Sequence, residues 1–172
     1  MNQQEAAYTT SETLKDGNIV KIRPVHSNDG DHPEKIKRNF SDNSILQRFL
    51  GYIPVFSQKL IEDLTTIDYK CKMALVAIDN TETDDEIIAI ARIGCECDEI
   101  AEFAIIVGDK WQGLGLASLM MDKMIQISRD LNYKTMHAYT FANNYKMIGM
   151  FKKRNFVLSK EDSRTVIATL VL

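Results

Sequence analysis

Ile100–Val107 is an almost wholly apolar run, rich in β-branched side chains. It leads through a turn carrying Gly108, Gly113 and Gly115 into a stretch where Leu116, Leu119, Met120, Met124, Ile127 and Leu131 recur at helical spacing. A strand that passes so abruptly into an amphipathic helix belongs in a sheet with helices on its faces. The rest of the chain agrees. Asn18–Arg23 alternates around Ile19, Val20 and Ile22 until Pro24 stops it, which predicts a short first strand. Ser27–Leu50 turns helical, with Ile36, Phe40, Ile45, Leu46 and Phe49 as core contacts, and Ser57 is placed to cap a helix containing Leu60, Ile61 and Leu64. Met73–Ile78, Ile87–Ile93 and Ile100–Val107 read as three consecutive strands in antiparallel hairpins. Lys134–Thr140 then reads as a strand, Asn143–Lys153 as a helix and Phe156–Leu172 as a hairpin. The expected fold is a mixed layered domain, α/β or α+β, over 18–172. A polar tail, 1–17, precedes it and ends in the turn signal Asp16–Gly17.

The 172 residues, 45% hydrophobic and 26% charged, suit one soluble globular domain. Acidic residues outnumber basic ones, 24 to 21, for a net charge of −3, the opposite balance from a nucleic-acid binder. No apolar run reaches the roughly 18 residues of a membrane span, and the N-terminus lacks the basic start and apolar centre of a signal peptide. Cys71, Cys95 and Cys97 form no complete disulfide set and no metal-ligand spacing. A cytoplasmic, reduced setting is expected, with no metal, nucleic acid or membrane as partner. Charge is unevenly spread: ten basic and five acidic side chains lie in Gly108–Leu172, a net +5, which leaves −8 on the preceding segment. Two solvated faces account for this, and so would an anionic ligand near the C-terminal half and a cationic one near the acidic half.

The turn narrows the chemistry. A helix start exposes N–H groups without intrahelical partners in a region of positive potential, and glycines let a phosphate approach the backbone. The amides of Gly113, Leu114, Gly115, Leu116 and Ala117 are therefore a candidate pyrophosphate cradle. A Walker A loop would end in Gly-Lys-Ser/Thr, which is absent. A dinucleotide turn would need Gly or Ala where Ser118 stands, and an acid ending the next strand. Gln/Arg-x-x-Gly-x-Gly/Ala fits at Gln112, Gly115 and Ala117. The plain alternative is a strand-to-helix turn whose glycines serve geometry alone.

These residues resemble the GNAT superfamily of N-acetyltransferases, and most closely the catalytic domain of bacterial protein lysine acetyltransferases. The likeness includes Ile22-Arg23-Pro24, Ser41-Asp42-Asn43-Ser44, Arg48-Phe49, Leu64-Thr65-Thr66-Ile67-Asp68-Tyr69, Met73–Ala77, Ala101-Glu102-Phe103-Ala104, Trp111–Leu116, Asn144 and Phe156. It implies a largely antiparallel central sheet flanked by helices, with the fourth and fifth strands splayed. It implies acetyl-CoA as acyl donor, its pyrophosphate on the amides of Leu114–Ala117 and its pantetheine arm along Ile105, Ile106 and Val107, like an added strand. Asn144 would contact the donor, although a helix N-cap is an equally reasonable role. The implied acceptor is a protein lysine, for instance on an acyl-CoA synthetase, with a small amine and a non-catalytic acyl-CoA sensor as alternatives. A regulatory domain of the kind often fused in that branch is expected to be absent or to act in trans.

Attack on a thioester needs an amine freed of its proton, so a base must stand near it. Glu102 shares a strand face with Ile100, Ala104 and Ile106, which predicts a desolvated carboxylate of raised pKa. The plain alternative is an edge carboxylate reaching water; the resemblance favours the base. Asp84, Asp85 and Glu86 could form an acidic rim for a cationic acceptor. Phe151 stands where many superfamily members carry a proton-donating tyrosine, and Asn155 replaces a glycine before Phe156. His26, His32 and His137 are scattered; His137, on the fifth strand, could line the cleft or be merely structural. Met120, Met121 and Met124 read as core. Lys152, Lys153 and Arg154 read as a solvated basic helix end, with reach to the donor's 3′-phosphate as the alternative.

Overall fold

The computed structural model describes residues 3–31, 37–51, 53, 57–79, 86–97 and 99–172, with Gln3 and Gln4 as backbone. His32, Ile36, Asp84 and Asp85 lie outside the described residues. The elements are α1 (Gln3–Tyr8), β1 (Thr10–Thr13), β2 (Ile19–Pro24), a 3-10 turn (Ser27–Asp31), α2 (Asp42–Phe49), α3 (Gln58–Thr65), β3 (Lys72–Asp79), β4 (Glu86–Cys97) and β5 (Ile100–Val107). A second 3-10 turn (Asp109–Trp111) then leads to α4 (Leu116–Asp130), β6 (Thr135–Phe141), α5 (Tyr145–Lys152), β7 (Val157–Lys160) and β8 (Thr165–Val171). The eight strands form one sheet in the order β1-β2-β3-β4-β5-β6-β8-β7.

Both faces of the sheet are covered, which is why β3 is buried at six consecutive positions instead of alternating. On one face, Met120, Met121 and Met124 of α4 are fully buried with Ala101, Phe103, Ile105 and Val107 of β5. On the other, Ile45 of α2 and Ile61 and Leu64 of α3 pack with Ala74, Val76, Ile78, Ile90 and Ile106. Both covering helices start on serine caps: Ser41 Oγ accepts the Ser44 N–H at 3.2 Å and Ser57 Oγ accepts the Leu60 N–H at 3.2 Å. Arg23 of the Ile-Arg-Pro motif is a brace, gripping Asp29 with both guanidinium nitrogens at 2.7 and 2.8 Å.

The segment expected as a tail is structured. β1 pairs antiparallel with β2 from Thr10↔Ile22 to Thr13↔Ile19. Its Thr-Ser-Glu-Thr sequence has no apolar alternation, so the strand gives no periodic signal. The turn that follows makes it: Gly17 takes φ +89°, Leu14 N–H bonds to Asn18 O at 2.8 Å, and Asp16 Oδ1 accepts the Asn18 N–H at 3.1 Å.

Every neighbouring pair of strands is antiparallel except β5 and β6, which α4 joins as a parallel crossover. Their ladder runs from Ile100↔Thr135 to Phe103↔Ala138 and stops. β5 continues through Ala104–Val107 and β6 through Tyr139–Phe141, so the expected splay is present. These are the fourth and fifth expected strands; β1 moves their count by one.

Candidate active site

A cleft of about 820 Å³ opens where β5 and β6 part. Its walls include Phe103–Val107 of β5, Ala138–Thr140 of β6, Gln47 and Arg48 of α2, the glycine turn, and Asn144–Met147 at the head of α5. Past the split, the facing edges of β5 and β6 carry no ladder to each other, so an extended ligand with amides could pair there as an added strand. Ile105, Ile106, Val107, Gln112, Gly113, Gly115, Ala117 and Asn144 all line this cleft; Leu114 and Leu116 belong to the turn but not to the lining.

The turn's glycines have separate reasons. A Cβ on Gly108 would stand 2.8 Å from the Trp111 ring, so close packing fixes that residue. Gly113 and Gly115 take φ +82° and +95°, a region that opposes any L side chain. Gly115 is the N-cap of α4 and offers no side-chain cap, and the first intrahelical bond runs from Leu119 N–H to Gly115 O at 3.0 Å. The first-turn amides, from Leu116 to Ser118, therefore precede the helical ladder at its positive end, which is the chemistry of an anion cradle. Gln112 braces the loop: its Nε2 donates to Ser44 Oγ at 3.1 Å and to Val107 O at 3.2 Å. Asp109 adds to the brace by accepting from Ser41 N–H at 2.7 Å and Ser44 Oγ at 2.9 Å. Burial pushes its carboxyl up, but those hydrogen bonds prevail and hold it below the ordinary range.

Glu102 sits one rung before the last pair ahead of the split, opposite His137. The walled-in carboxylate expected from its neighbours is not found: Glu102 is exposed, while Ala104 is half-buried and Ile106 buried. The period of two puts apolar neighbours on its face, but those neighbours do not cover the carboxylate. Glu102 is also outside the cleft lining, which begins one residue later at Phe103. Two guanidinium groups, of Arg48 and Arg92, interact electrostatically with it. Burial brings Arg48 down to about 10, with Glu102 opposing that fall and Arg92 adding to it, so Arg48 stays charged at neutral pH. Across the rung, His137 Nδ1 lies 2.8 Å from Glu96 Oε2, and His137 is absent from the lining. Tyr139 does line the cleft, and its hydroxyl is raised by burial and by Glu96, Glu161 and Glu102.

The Acetyltransferase (GNAT) family model matches residues 45–156, which include most of α2, the split strands and the glycine turn. An acetyltransferase of Pseudomonas aeruginosa is 32% identical over 164 residues, 94% of this chain and 88% of that protein. The chain belongs to the GNAT acetyltransferase family. Among solved structures, the GNAT domain of S. lividans PAT shares the fold at a TM-score of 0.86, with 24% identity over 97% of this chain and 98% of that one. Spermidine N-acetyltransferase from Vibrio cholerae, solved with CoA and spermine, shares it at a TM-score of 0.70, with 18% identity over 88% and 95%. No helix among the described residues of this GNAT acetyltransferase is long and apolar enough to cross a membrane.

In this GNAT domain Asn144 fills the cap role: its Oδ1 accepts the Met147 N–H at 3.2 Å. Asn155 takes φ +63°, so the turn survives the missing glycine. Phe151 is fully buried with its ring 5.0 Å from Phe156, which fills the tyrosine position with packing. Of the basic helix end, Lys153 and Arg154 line the cleft, and Arg154 is tied to Asp122 at 2.8 Å and to Ser118. Glu86 of the expected rim is paired with Arg38 at 2.7 Å. Several lining residues carry no signal in the sequence, Tyr139, Lys146 and Met147 among them. Two others had one nearby: Gln47 sits one helical position before the quoted Arg48, and Lys15, in the expected tail, adjoins the Asp16–Gly17 turn signal.

Proposed function

We propose that this acetyltransferase moves the acetyl group of acetyl-CoA directly to a lysine side chain of a protein, with Glu102 as the base. The observation that carries the donor half is the parting of β5 and β6 beside the glycine turn. Diphosphate is held by the amides of Leu114–Ala117, and the pantetheine arm lies along Ile105–Val107, with Asn144 at the far wall. Gly113 and Gly115 keep that approach open, and Gln112 holds the loop that presents the amides. Bound there, the donor supplies an activated thioester.

Glu102 accepts the proton of the incoming ammonium from the adjoining face. The freed amine attacks the thioester carbonyl, a C–N bond forms, the C–S bond breaks, and the sulfur leaves as a thiolate that takes up the proton released from the attacking nitrogen. Exposure of Glu102 fits an acceptor presented from outside the fold on another protein's surface. The same exposure, with Glu96 and Glu161 near Tyr139, also suits a polyamine. The deciding experiment supplies acetyl-CoA with a cell lysate and, separately, with spermidine, amino sugars and free lysine. Acetyl-lysines mapped by mass spectrometry on a small set of proteins support the protein reading. A polyamine acetylated with higher kcat/KM, and no labelled protein, replaces it.

A further inference from the structure

Lys15 has no role in the family motif, yet the fold seats it against the glycine turn. Its backbone N–H donates to Leu114 O at 3.1 Å. Its side-chain stem runs beside Gly115: a Cβ built on that glycine would lie 3.6 Å from Lys15 Cε and 3.7 Å from Cγ. Lys15 also lines the cleft. Its position is fixed from both sides. Leu14 is buried in the core, the Asp16–Asn18 turn follows at once, and Glu12 of β1 is paired with Lys123 of α4 at 2.7 Å.

Two of the neighbouring charges are committed elsewhere, while Lys146 and Lys153 also line the cleft. Arg154 is held by Asp122 and Ser118, and Lys123 by Glu12. Among the described residues Lys15 has no carboxylate partner. An exposed ammonium carried across the cap of α4, next to first-turn amides, adds a full charge where the helix end supplies a partial one.

Resting on the placement of the donor at this turn, we infer that Lys15 binds the diphosphate of CoA and is a specificity residue for it. The β1–β2 turn is then part of the donor site. A lysine engages phosphate as a point charge, so arginine should substitute for it in part.

Calorimetry on wild type, Lys15→Met and Lys15→Arg with CoA, dephospho-CoA and millimolar pantetheine tests this without any acceptor. The expected result for Lys15→Met is about tenfold weaker binding of both CoA and dephospho-CoA. Pantetheine affinity and melting temperature should be unchanged, and the salt dependence of CoA binding shallower. Lys15→Arg recovers most of the loss. A loss confined to CoA moves Lys15 to the 3′-phosphate and overturns the diphosphate assignment. An equal loss for pantetheine makes its role structural. Unchanged CoA binding by Lys15→Met removes it from the site, whereas a wild-type protein that fails to bind CoA brings down the placement of the donor itself.

Discussion

Asn144 joins two helices with one side chain: its Oδ1 accepts the Met147 N–H at 3.2 Å while its Nδ2 donates to Gln47 Oε1 at 3.0 Å. The first bond caps α5 and the second reaches α2, and both residues line the cleft. The two roles can be separated. Asn144→Ala should cost about 1 kcal/mol of stability, the usual worth of a cap, and should raise KM for acetyl-CoA. Asn144→Ser keeps a cap but is too short to reach Gln47. It should melt like wild type while retaining the KM defect, as read by thermal unfolding and initial rates.

Glu102→Gln should lower kcat roughly 10²–10⁴-fold, the worth of a general base, with CoA affinity unchanged because Glu102 lies outside the cleft lining. The deficit should narrow as pH approaches about 10.4, where a lysine amine loses its proton unaided. Equal rates at neutral pH under conditions where chemistry limits turnover would remove Glu102 from the mechanism.

Gly115→Ala forces a side chain into φ +95° and against the Lys15 stem. Stability should fall by roughly 1 kcal/mol, and KM for acetyl-CoA should rise further than a loss of folded protein explains. Gly17→Val tests the same region from a distance. Nothing lies within 4 Å of its Cβ, so only the φ of +89° opposes it. It should loosen the β1–β2 turn and weaken CoA binding measured by calorimetry, although Gly17 is not in the cleft lining.

Asp109 and Asp68 tie stability to acid pH. Burial raises both, but hydrogen bonds outweigh it: Asp109 accepts from Ser41 and Ser44, and Asp68 Oδ1 accepts the N–H groups of Lys72, Lys70 and Cys71 at 2.7, 2.9 and 2.8 Å. A carboxylate held below its ordinary value stabilises the fold fully above that value. The contribution is lost as pH falls from about 4 through the depressed folded value. Asp68→Asn and Asp109→Asn should therefore lower the melting temperature at pH 7 and flatten its fall below pH 4. A wild-type-like acid slope in both variants would contradict the assignment.

Much of the fold could be read from the chain because its strands are apolar and its helices carry their own caps. Ser57 shows it: a serine before a periodic run is a cap in sequence and in structure. The parting of β5 from β6 was implied by family resemblance alone; nothing in Ala104–Val107 or Tyr139–Phe141 says that their ladder fails. β1 escaped notice because an edge strand of Thr, Ser and Glu needs no buried face. Glu102 was misjudged in its surroundings: residues two apart on a strand share a face, but only the tertiary fold decides what lies over that face. Glu102 is left exposed there. Lys15 was out of reach for a related reason, since its neighbour Gly115 is a hundred residues away in sequence.

The break between β5 and β6 also bears on how long the protein lasts. A sheet that stops pairing halfway along two of its central strands gives up hydrogen bonds that an unbroken sheet would hold. A ligand that restores them binds the native state and not the unfolded chain. Mass action then adds to the unfolding free energy with the logarithm of free donor, about 2.7 kcal/mol at a hundred times its dissociation constant. Resistance to heat and to proteolysis should rise and fall with the supply of the molecule the enzyme consumes.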